Sequence, residues 1–418
     1  MEISVGYGKG DLKFTIEDQN LLANLIPNKI EIGISGEDEV RRALKEPISS
    51  KPLREIVTAG DKIAIVTSDI TRPIPSKIVL PVIIEELNAA GVQDCDITIV
   101  FALGSHRKHT QNEMIYLVGE SVYNRIKCLD LDVKDCVHLG NTNHGTPVSI
   151  YRPVVEADKR ICLGNIEFHY FAGYSGGAKA LMPGVATRDA IQVNHSMMVL
   201  DEAKAGALNT NPLRRDIDEV TSFISIDFLL NVVLSEKKEI IKAFAGHHKL
   251  AHEEGCRFLD RLYKVDIPRQ ADIVVVSAGG YPKDINVYQA QKALDNAKHA
   301  VKPGGIIILA ASCKEGLGEG VFEKWMIHSE TSKEMIFRIR EKFELGGHKA
   351  AAIAMILEKA RIFLVSDLED DFVRSIFLEP FSSIDDALSA AYESLGRNVD
   401  IVIMPYGGST LPAVSEVI

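Results

Sequence analysis

Short runs of aliphatic and β-branched residues alternate along this chain with longer stretches whose apolar positions recur every three or four residues. Runs of the first kind predict buried strands, and stretches of the second kind predict helices with one apolar face. Lys62–Thr67, Ile97–Ala102 and Lys159–Gly164 read as strands. Ser76–Ala90 reads as a helix, Thr110-Gln111-Asn112-Glu113 has the capping-box spacing that opens another, and Thr187 is placed to cap a third, which carries His195. The pattern restarts after Val265–Gln270 with a strand over Ala271–Ser277, a helix from about Asn286 to Lys298 and a strand at Gly304–Ala310. Helices at Ser332–Phe343 and Lys349–Lys359 and strands at Arg361–Val365 and Asp400–Met404 complete the second series. Strands alternating with helices predict an α/β fold of mainly parallel sheets flanked by helices. A boundary near Pro268 divides the 418 residues into domains 1–268 and 269–418, each long enough for its own core. Two strand ends look alike, Gly279-Gly280 and Gly407-Gly408, but the likeness is too short to establish a duplication.

Composition narrows the class of partner. A net charge of −11 argues against broad nucleic-acid binding, which needs a basic surface, while leaving room for a small anion held by a few local cations. The six cysteines form no CxxC pair and suit a reducing compartment better than a disulfide framework. The first residues show no basic segment followed by an apolar run, and no apolar run approaches the ~18 residues of a membrane helix. The expectation is a cytoplasmic protein without membrane or nucleic-acid partners.

In open α/β sheets ligands gather beyond the carboxyl ends of the strands. Three unusual loops follow predicted strands: Ser68–Pro73, Leu103–His109 and Asn165–Lys179. The last contains Glu167-Phe168-His169-Tyr170 and Gly173-Tyr174-Ser175-Gly176-Gly177-Ala178-Lys179. Glycines let backbone amides approach an anion, and a lysine just past them can hold a phosphate or become a nucleophile once deprotonated. A Walker A loop is excluded because Ala178 precedes Lys179 and Ala180 follows it, and no GxGxxG opens a helix directly after a strand. The plainer reading is a tight turn with a solvated lysine. His106 and His109 have zinc-compatible spacing but no HExxH accompanies them, and for His109 a structural role is the simpler reading. His247 and His248, in a predicted polar loop, read as incidental. Arg72, before Pro73, is placed to grip a carboxylate; its plainer reading is an exposed arginine paired with Asp69. Gln289 and Lys292 share one helix face, suited to an anionic ligand or simply to solvent.

Taken together, Ser68–Pro73, Gly104-Ser105-His106-Arg107, Glu167–Tyr170, Gly173–Lys179 and Asn194-His195 resemble the nickel-dependent lactate racemase family in order and spacing. Gln289 with Lys292 continues the resemblance, which covers essentially the whole chain. It implies a two-domain α/β enzyme with its active site in the interdomain cleft, the C-terminal domain closing over the substrate. It also implies a nickel-pincer nucleotide, pyridinium-3-thioamide-5-thiocarboxylic acid mononucleotide, made by cofactor-biosynthesis enzymes that act as maturation partners. By this similarity Lys179 carries the cofactor covalently, with Asp69, Ser175, Gly176 and Gly177 also binding it. Nickel is held by the cofactor's sulfurs and a ring carbon, with His195 as the protein ligand. His106 and His169 are the acid/base pair, and Arg72, Gln289 and Lys292 bind the substrate.

The implied chemistry is physically coherent. Removing a proton beside a carboxylate already negative builds a second charge with little to stabilise it. Removing hydride instead, with a cofactor as electron sink, leaves a neutral ketone once the hydroxyl proton is taken. The ketone turns its other face and receives hydride back, and a histidine on each side can take and return the hydroxyl proton. Related enzymes of this fold act on other 2-hydroxy acids, so racemisation or epimerisation of one of those is the alternative within this class. Two readings of other classes are a zinc-dependent hydrolase using His106, His109 and His169, and a noncatalytic carboxylate-binding protein closing around Arg72 and Lys292. Oligomeric state leaves no trace in the pattern.

Overall fold

The apolar runs become the central strands of two separate six-stranded sheets. The structure, a computed structural model, describes residues 1–72, 74–235 and 237–415. The chain forms two compact units, one of residues 30–260 and one that joins 1–29 to 261–418.

In the unit of residues 30–260 the strands are β1 (Ile63–Ser68), β2 (Ile97–Ala102), β3 (Lys127–Asp130), β4 (Lys159–Asn165), β5 (Phe228–Leu234) and β6 (Ile240–Gly246). Their order across the sheet is β6-β5-β4-β1-β2-β3, parallel throughout except for the β5–β6 pair. Both faces are covered, so β1 is buried over Ile63–Thr67 without the alternation of a half-exposed strand. The chain steps outward from β1 through β2 to β3, then returns to the other side of β1 as β4. Strand order therefore reverses between β1 and β4, the kind of switch point beyond whose carboxyl ends ligands bind in open α/β sheets. The loops after these two strands, with the loop after β2, are those singled out in the sequence. The capping box at Thr110 and Glu113 forms as its spacing predicts. Thr187 occupies the N-cap of the helix Arg188–Ser196, though its side chain makes no capping bond.

In the other unit the strands are β7 (Ala271–Ser277), β8 (Val301–Ala310), β9 (Arg361–Val365), β10 (Glu379–Phe381) and β11 (Ile401–Met404), with Leu21–Asn24 at one edge. The order is β10-β9-β8-β7-β11 followed by Leu21–Asn24, all parallel. Here the order reverses between β7 and β11. Gly279-Gly280 and Gly407-Gly408 follow those two strands, so the two similar strand ends flank the second sheet's switch point.

The domain assignment from the sequence changes in two ways. Residues 1–29, read as part of 1–268, belong with the C-terminal unit. Their hairpin, Glu2–Tyr7 with Gly10–Thr15, places Val5 and Phe14 in one core with Ile273, Val275, Ile308 and Ile401, and Leu21–Asn24 pairs with β11. Such pairing joins residues hundreds of positions apart and leaves no local mark. The break after Asp260 falls within the helix His248–Tyr263, ahead of Pro268. That helix was not expected: His247 and His248 read as loop residues, yet His247 Nδ1 accepts from the backbone N–H of Lys249 at 3.3 Å at the start of this helix. Among the described residues no helix is long and apolar enough to cross a membrane.

Candidate active site

The loop after β4 is built around a short hairpin, Phe168–His169 paired with Gly173–Tyr174, and a 3-10 turn, Gly177–Ala180, that carries Lys179. Its polar groups are largely engaged within the protein. Ser175 Oγ donates to Asn165 O at 2.7 Å and accepts from Glu167 N at 2.9 Å, and Gly177 N donates to Asn231 Oδ1 at 2.9 Å. Behind the loop lies Arg214, only 1% exposed, donating to Tyr174 O at 3.3 Å and Gly176 O at 3.2 Å and pairing with Asp218 at 3.2 Å. It also reaches His252 Nδ1 at 3.3 Å, while His252 Nε2 lies 2.8 Å from Ser175 O. A carbonyl only accepts and a guanidinium only donates, so His252 is neutral with its proton on Nε2. Burial first, then the Arg214 charge, likewise holds its pKa well below the usual histidine value.

Packing explains two of the glycines. Gly173 has φ +75° and a Cβ there would stand 1.9 Å from Ala207 O; Gly177 has φ +62° and its Cβ would stand 2.3 Å from an Arg214 nitrogen. The tight-turn reading is therefore part of the truth. The solvated-lysine reading is not. Lys179 is partly accessible but densely surrounded by protein, and its amine is held well below the ordinary lysine pKa. Burial is the main cause, followed by the Arg72 and Arg214 charges, with Glu167 opposing. A lowered pKa raises the share of the amine in its neutral, nucleophilic form.

The loops after β1 and β2 meet at His106 and Asp69. His106 Nδ1 is tightly hydrogen-bonded to Asp69 Oδ2, and Asp69 Oδ1 accepts from Thr71 N at 3.1 Å and Thr71 Oγ1 at 2.7 Å. Burial pushes the Asp69 carboxyl up, but the His106 and Thr71 hydrogen bonds and the His106 and Arg72 charges outweigh it, so the group sits below the usual aspartate range. An ionised Asp69 requires Nδ1–H on His106, which in the neutral ring leaves the lone pair on Nε2. Asp69 thus serves the histidine, with both carboxylate oxygens engaged inside the protein. His169 has the opposite arrangement: Ala172 N–H donates to its Nδ1 at 3.3 Å, which places the proton of the neutral ring on Nε2. Its ring lies 4.5 Å from Phe171, edge to face, and Phe171 stands 4.9 Å from the His195 ring.

The remaining predicted residues fall into place individually. His109 is structural: its side chain is buried, Nδ1 pairs with Asp130 at 2.6 Å and Nε2 accepts from Ile70 N at 3.1 Å, tying three strand ends together. His109→Ala should cost about 1–3 kcal/mol in denaturant unfolding, the usual penalty for leaving a buried partner unsatisfied, without changing the reactivity of Lys179 toward cyanate. Arg72 is exposed at the mouth of the same loop, whereas Pro73 lies outside the described residues. Gln289 and Lys292 sit on the helix Val287–Ala297 of the other unit, whose cap is Asn286 accepting from Gln289 N at 2.9 Å. Among the described residues no three His, Cys, Asp or Glu side chains are grouped to hold a metal, so a zinc site of His106, His109 and His169 has no ligand set.

Residues 7–207 match the family described as the lactate racemase N-terminal domain, and residues 267–411 match the lactate racemase C-terminal domain. The chain is 33% identical to the lactate racemase of Thermoanaerobacterium thermosaccharolyticum, with 98% of each protein covered. The chain belongs to the lactate racemase family. This is a family of isomerases, which sets aside the hydrolase and noncatalytic readings. The lactate racemase of Lactiplantibacillus plantarum is 32% identical over 97% of this chain and 98% of its own length. In three dimensions the lactate racemase apoprotein from Thermoanaerobacterium thermosaccharolyticum superposes with a TM-score of 0.89 over the full length of both chains. A protein from Thermotoga maritima, 20% identical, shares the fold over 91% of this chain and 100% of its own, with a TM-score of 0.64.

Seen as a lactate racemase family member, the chain contains residues at this site that sequence reading passed over. Arg214, Asp216, Asn231 and His252 all back the glycine loop or its neighbours. The Asn211-Pro212 pair does signal a helix start, and Asn211 Oδ1 accepts from Arg214 N at 3.1 Å. Nothing local shows that the arginine two positions on turns inward.

Proposed function

We propose that the protein interconverts the two enantiomers of lactate, with a nickel-pincer nucleotide carried covalently on Lys179. The observation that carries this reading is an enclosed Lys179 amine whose pKa burial lowers, in the same unit as a histidine hydrogen-bonded to a buried aspartate. The chain's residues fit the group. Lys179 would supply the nucleophile and His195 an imidazole of the kind that suits nickel, with Arg214 bracing the loop from behind. When bound, the group supplies an acceptor for the hydride leaving the substrate's central carbon.

The protein's own residues do the rest. Arg72 grips the carboxylate, so that the central carbon keeps its place while the ketone presents its other face. His106, its Nδ1–H fixed on Asp69, takes the hydroxyl proton at Nε2. His169 stands as an Nε2–H donor and becomes a base when its long 3.3 Å contact with Ala172 N gives way. None of these groups reads the methyl side of the substrate, so a bulkier 2-hydroxy acid is the second reading within the same chemistry.

Protein made alongside the cofactor-building enzymes should carry a nickel-bearing adduct on Lys179 by intact mass and peptide mapping. It should racemise lactate deuterated at the central carbon with the label retained. Loss of that label to solvent at each turnover would mean a carbanion route and end the hydride reading. Faster turnover of a larger 2-hydroxy acid than of lactate would keep the chemistry and change the substrate.

A further inference from the structure

We propose that Asp216, acting through Asn194, fixes the tautomer of His195 so that its Nε2 presents a lone pair. The proposal rests on the reading of His195 as the nickel ligand for its purpose, though not for its geometry.

Asn194 and Asp216 are both 0% exposed, and His195 is 8% exposed. Asn194 Nδ2 donates to Asp216 Oδ2 at 2.7 Å and to Leu213 O at 3.1 Å. Both partners can only accept, so the orientation of the amide is determined and Oδ1 must be the atom facing His195. His195 Nδ1 lies 2.9 Å from that oxygen. An amide oxygen cannot donate, so Nδ1 carries the proton and Nε2 the lone pair. Metal-binding histidines are oriented in this way by a partner on the other ring nitrogen, here with an amide between the ring and the carboxylate.

Asp216 is itself held. Thr142 Oγ1 is tightly bonded to its Oδ1, and Thr146 Oγ1 donates to Oδ2 at 2.7 Å. Both threonines sit at the turn of the hairpin Cys136–Asn141 with Pro147–Tyr151, where Thr142 N donates to Thr146 O at 2.9 Å. That hairpin had no role in the sequence reading; its threonines now anchor a chain that ends at His195. The helix Pro212–Glu219 accordingly carries two buried charges of different purpose. Arg214 braces the loop of Lys179, and Asp216 braces His195.

The directional logic predicts what Asp216→Asn does. An asparagine at 216 has one acceptor where the network asks for two. Turning its NH2 toward Asn194 would rotate that amide and offer Nδ2 to His195, which must then carry its proton on Nε2. In apoprotein labelled with 15N-histidine, long-range proton–nitrogen spectra, assigned with His195→Gln, should show His195 protonated at Nδ1. Asp216→Asn should move the proton to Nε2. In protein loaded beside its cofactor-building enzymes, the same substitution should speed nickel loss to a chelator by about 10- to 100-fold, with the adduct mass on Lys179 unchanged.

A wild-type His195 protonated at Nε2 overturns the proposal, and this measurement needs no variant should Asp216→Asn fail to fold. A folded Asp216→Asn with the wild-type tautomer and wild-type nickel loss also overturns it. If His195→Gln retains nickel as well as wild type, the assignment of His195 as ligand fails, while the spectra still decide the tautomer relay.

Discussion

Lys179→Ala is expected to abolish racemisation, lowering turnover by about 10⁵- to 10⁶-fold, the scale seen when a covalent nucleophile is removed. Protein made beside the cofactor-building enzymes should then show the bare chain mass. The cause lies in the setting of the amine. Burial, with the Arg72 and Arg214 charges behind it, lowers the amine's pKa and so favours its neutral form relative to an ordinary lysine. Cyanate, which reacts with neutral amines, should therefore carbamoylate Lys179 of the apoprotein at pH 7 ahead of surface lysines. Equal labelling would refute the depressed pKa. Stability should move the opposite way from activity. The folded pKa lies below the unfolded value of about 10.4, so folding releases a proton in the pH range between the two. The resulting destabilisation is absent above the unfolded pKa and grows as pH falls toward the folded one. Lys179→Met, which removes the titrating group, should raise the melting temperature of the apoprotein at pH 7 and flatten its rise toward pH 10. An unchanged melting temperature would show that the lysine carries no such burden.

Asp69→Asn is expected to cost about 10³- to 10⁴-fold in turnover, comparable to other cases where an aspartate that orients a catalytic histidine becomes an amide. Thr71 aims both its N–H and its hydroxyl at Asp69 Oδ1, so an asparagine must keep its oxygen there. Its NH2 then faces His106 Nδ1 and drives the ring proton onto Nε2, which removes the base. His106→Ala should lose turnover by about 10²- to 10⁴-fold, the usual range for a general base, and the double variant should be little worse than either alone. Additive losses would show that Asp69 acts by another route. All three variants should retain the Lys179 adduct by mass, since neither residue bonds to that loop. The two directions must fall equally in kcat/KM, because enantiomers are isoenergetic and the equilibrium constant is one.

The strands were legible because parallel sheets covered on both faces need unbroken apolar runs. Ile97–Ala102, Ala271–Ser277 and Arg361–Val365 appear at the residues predicted. The capping box at Thr110 was equally local, since its donors and acceptors lie within one turn. The proposed reactive set, His106, His169, Lys179, His195 and Arg72, was picked out as unusual residues near strand ends and as a family pattern. Their states were not. The lowered pKa of Lys179 depends first on its burial and then on the Arg72 and Arg214 charges, the second of which lies 35 positions further along the chain.

The sequence by itself determined the α/β class, the strand positions and the loops that carry chemistry, because each depends on residues near one another in the chain. Tertiary structure decided that residues 1–29 complete the second sheet, that His109 is a tie between strand ends, and that Asp69 serves His106. It also brought together the partners that set the proton position on His106 and His252. Those outcomes follow from donors and acceptors brought together across long separations in buried surroundings, where an unmatched polar group is costly and only one pattern of hydrogens satisfies every partner.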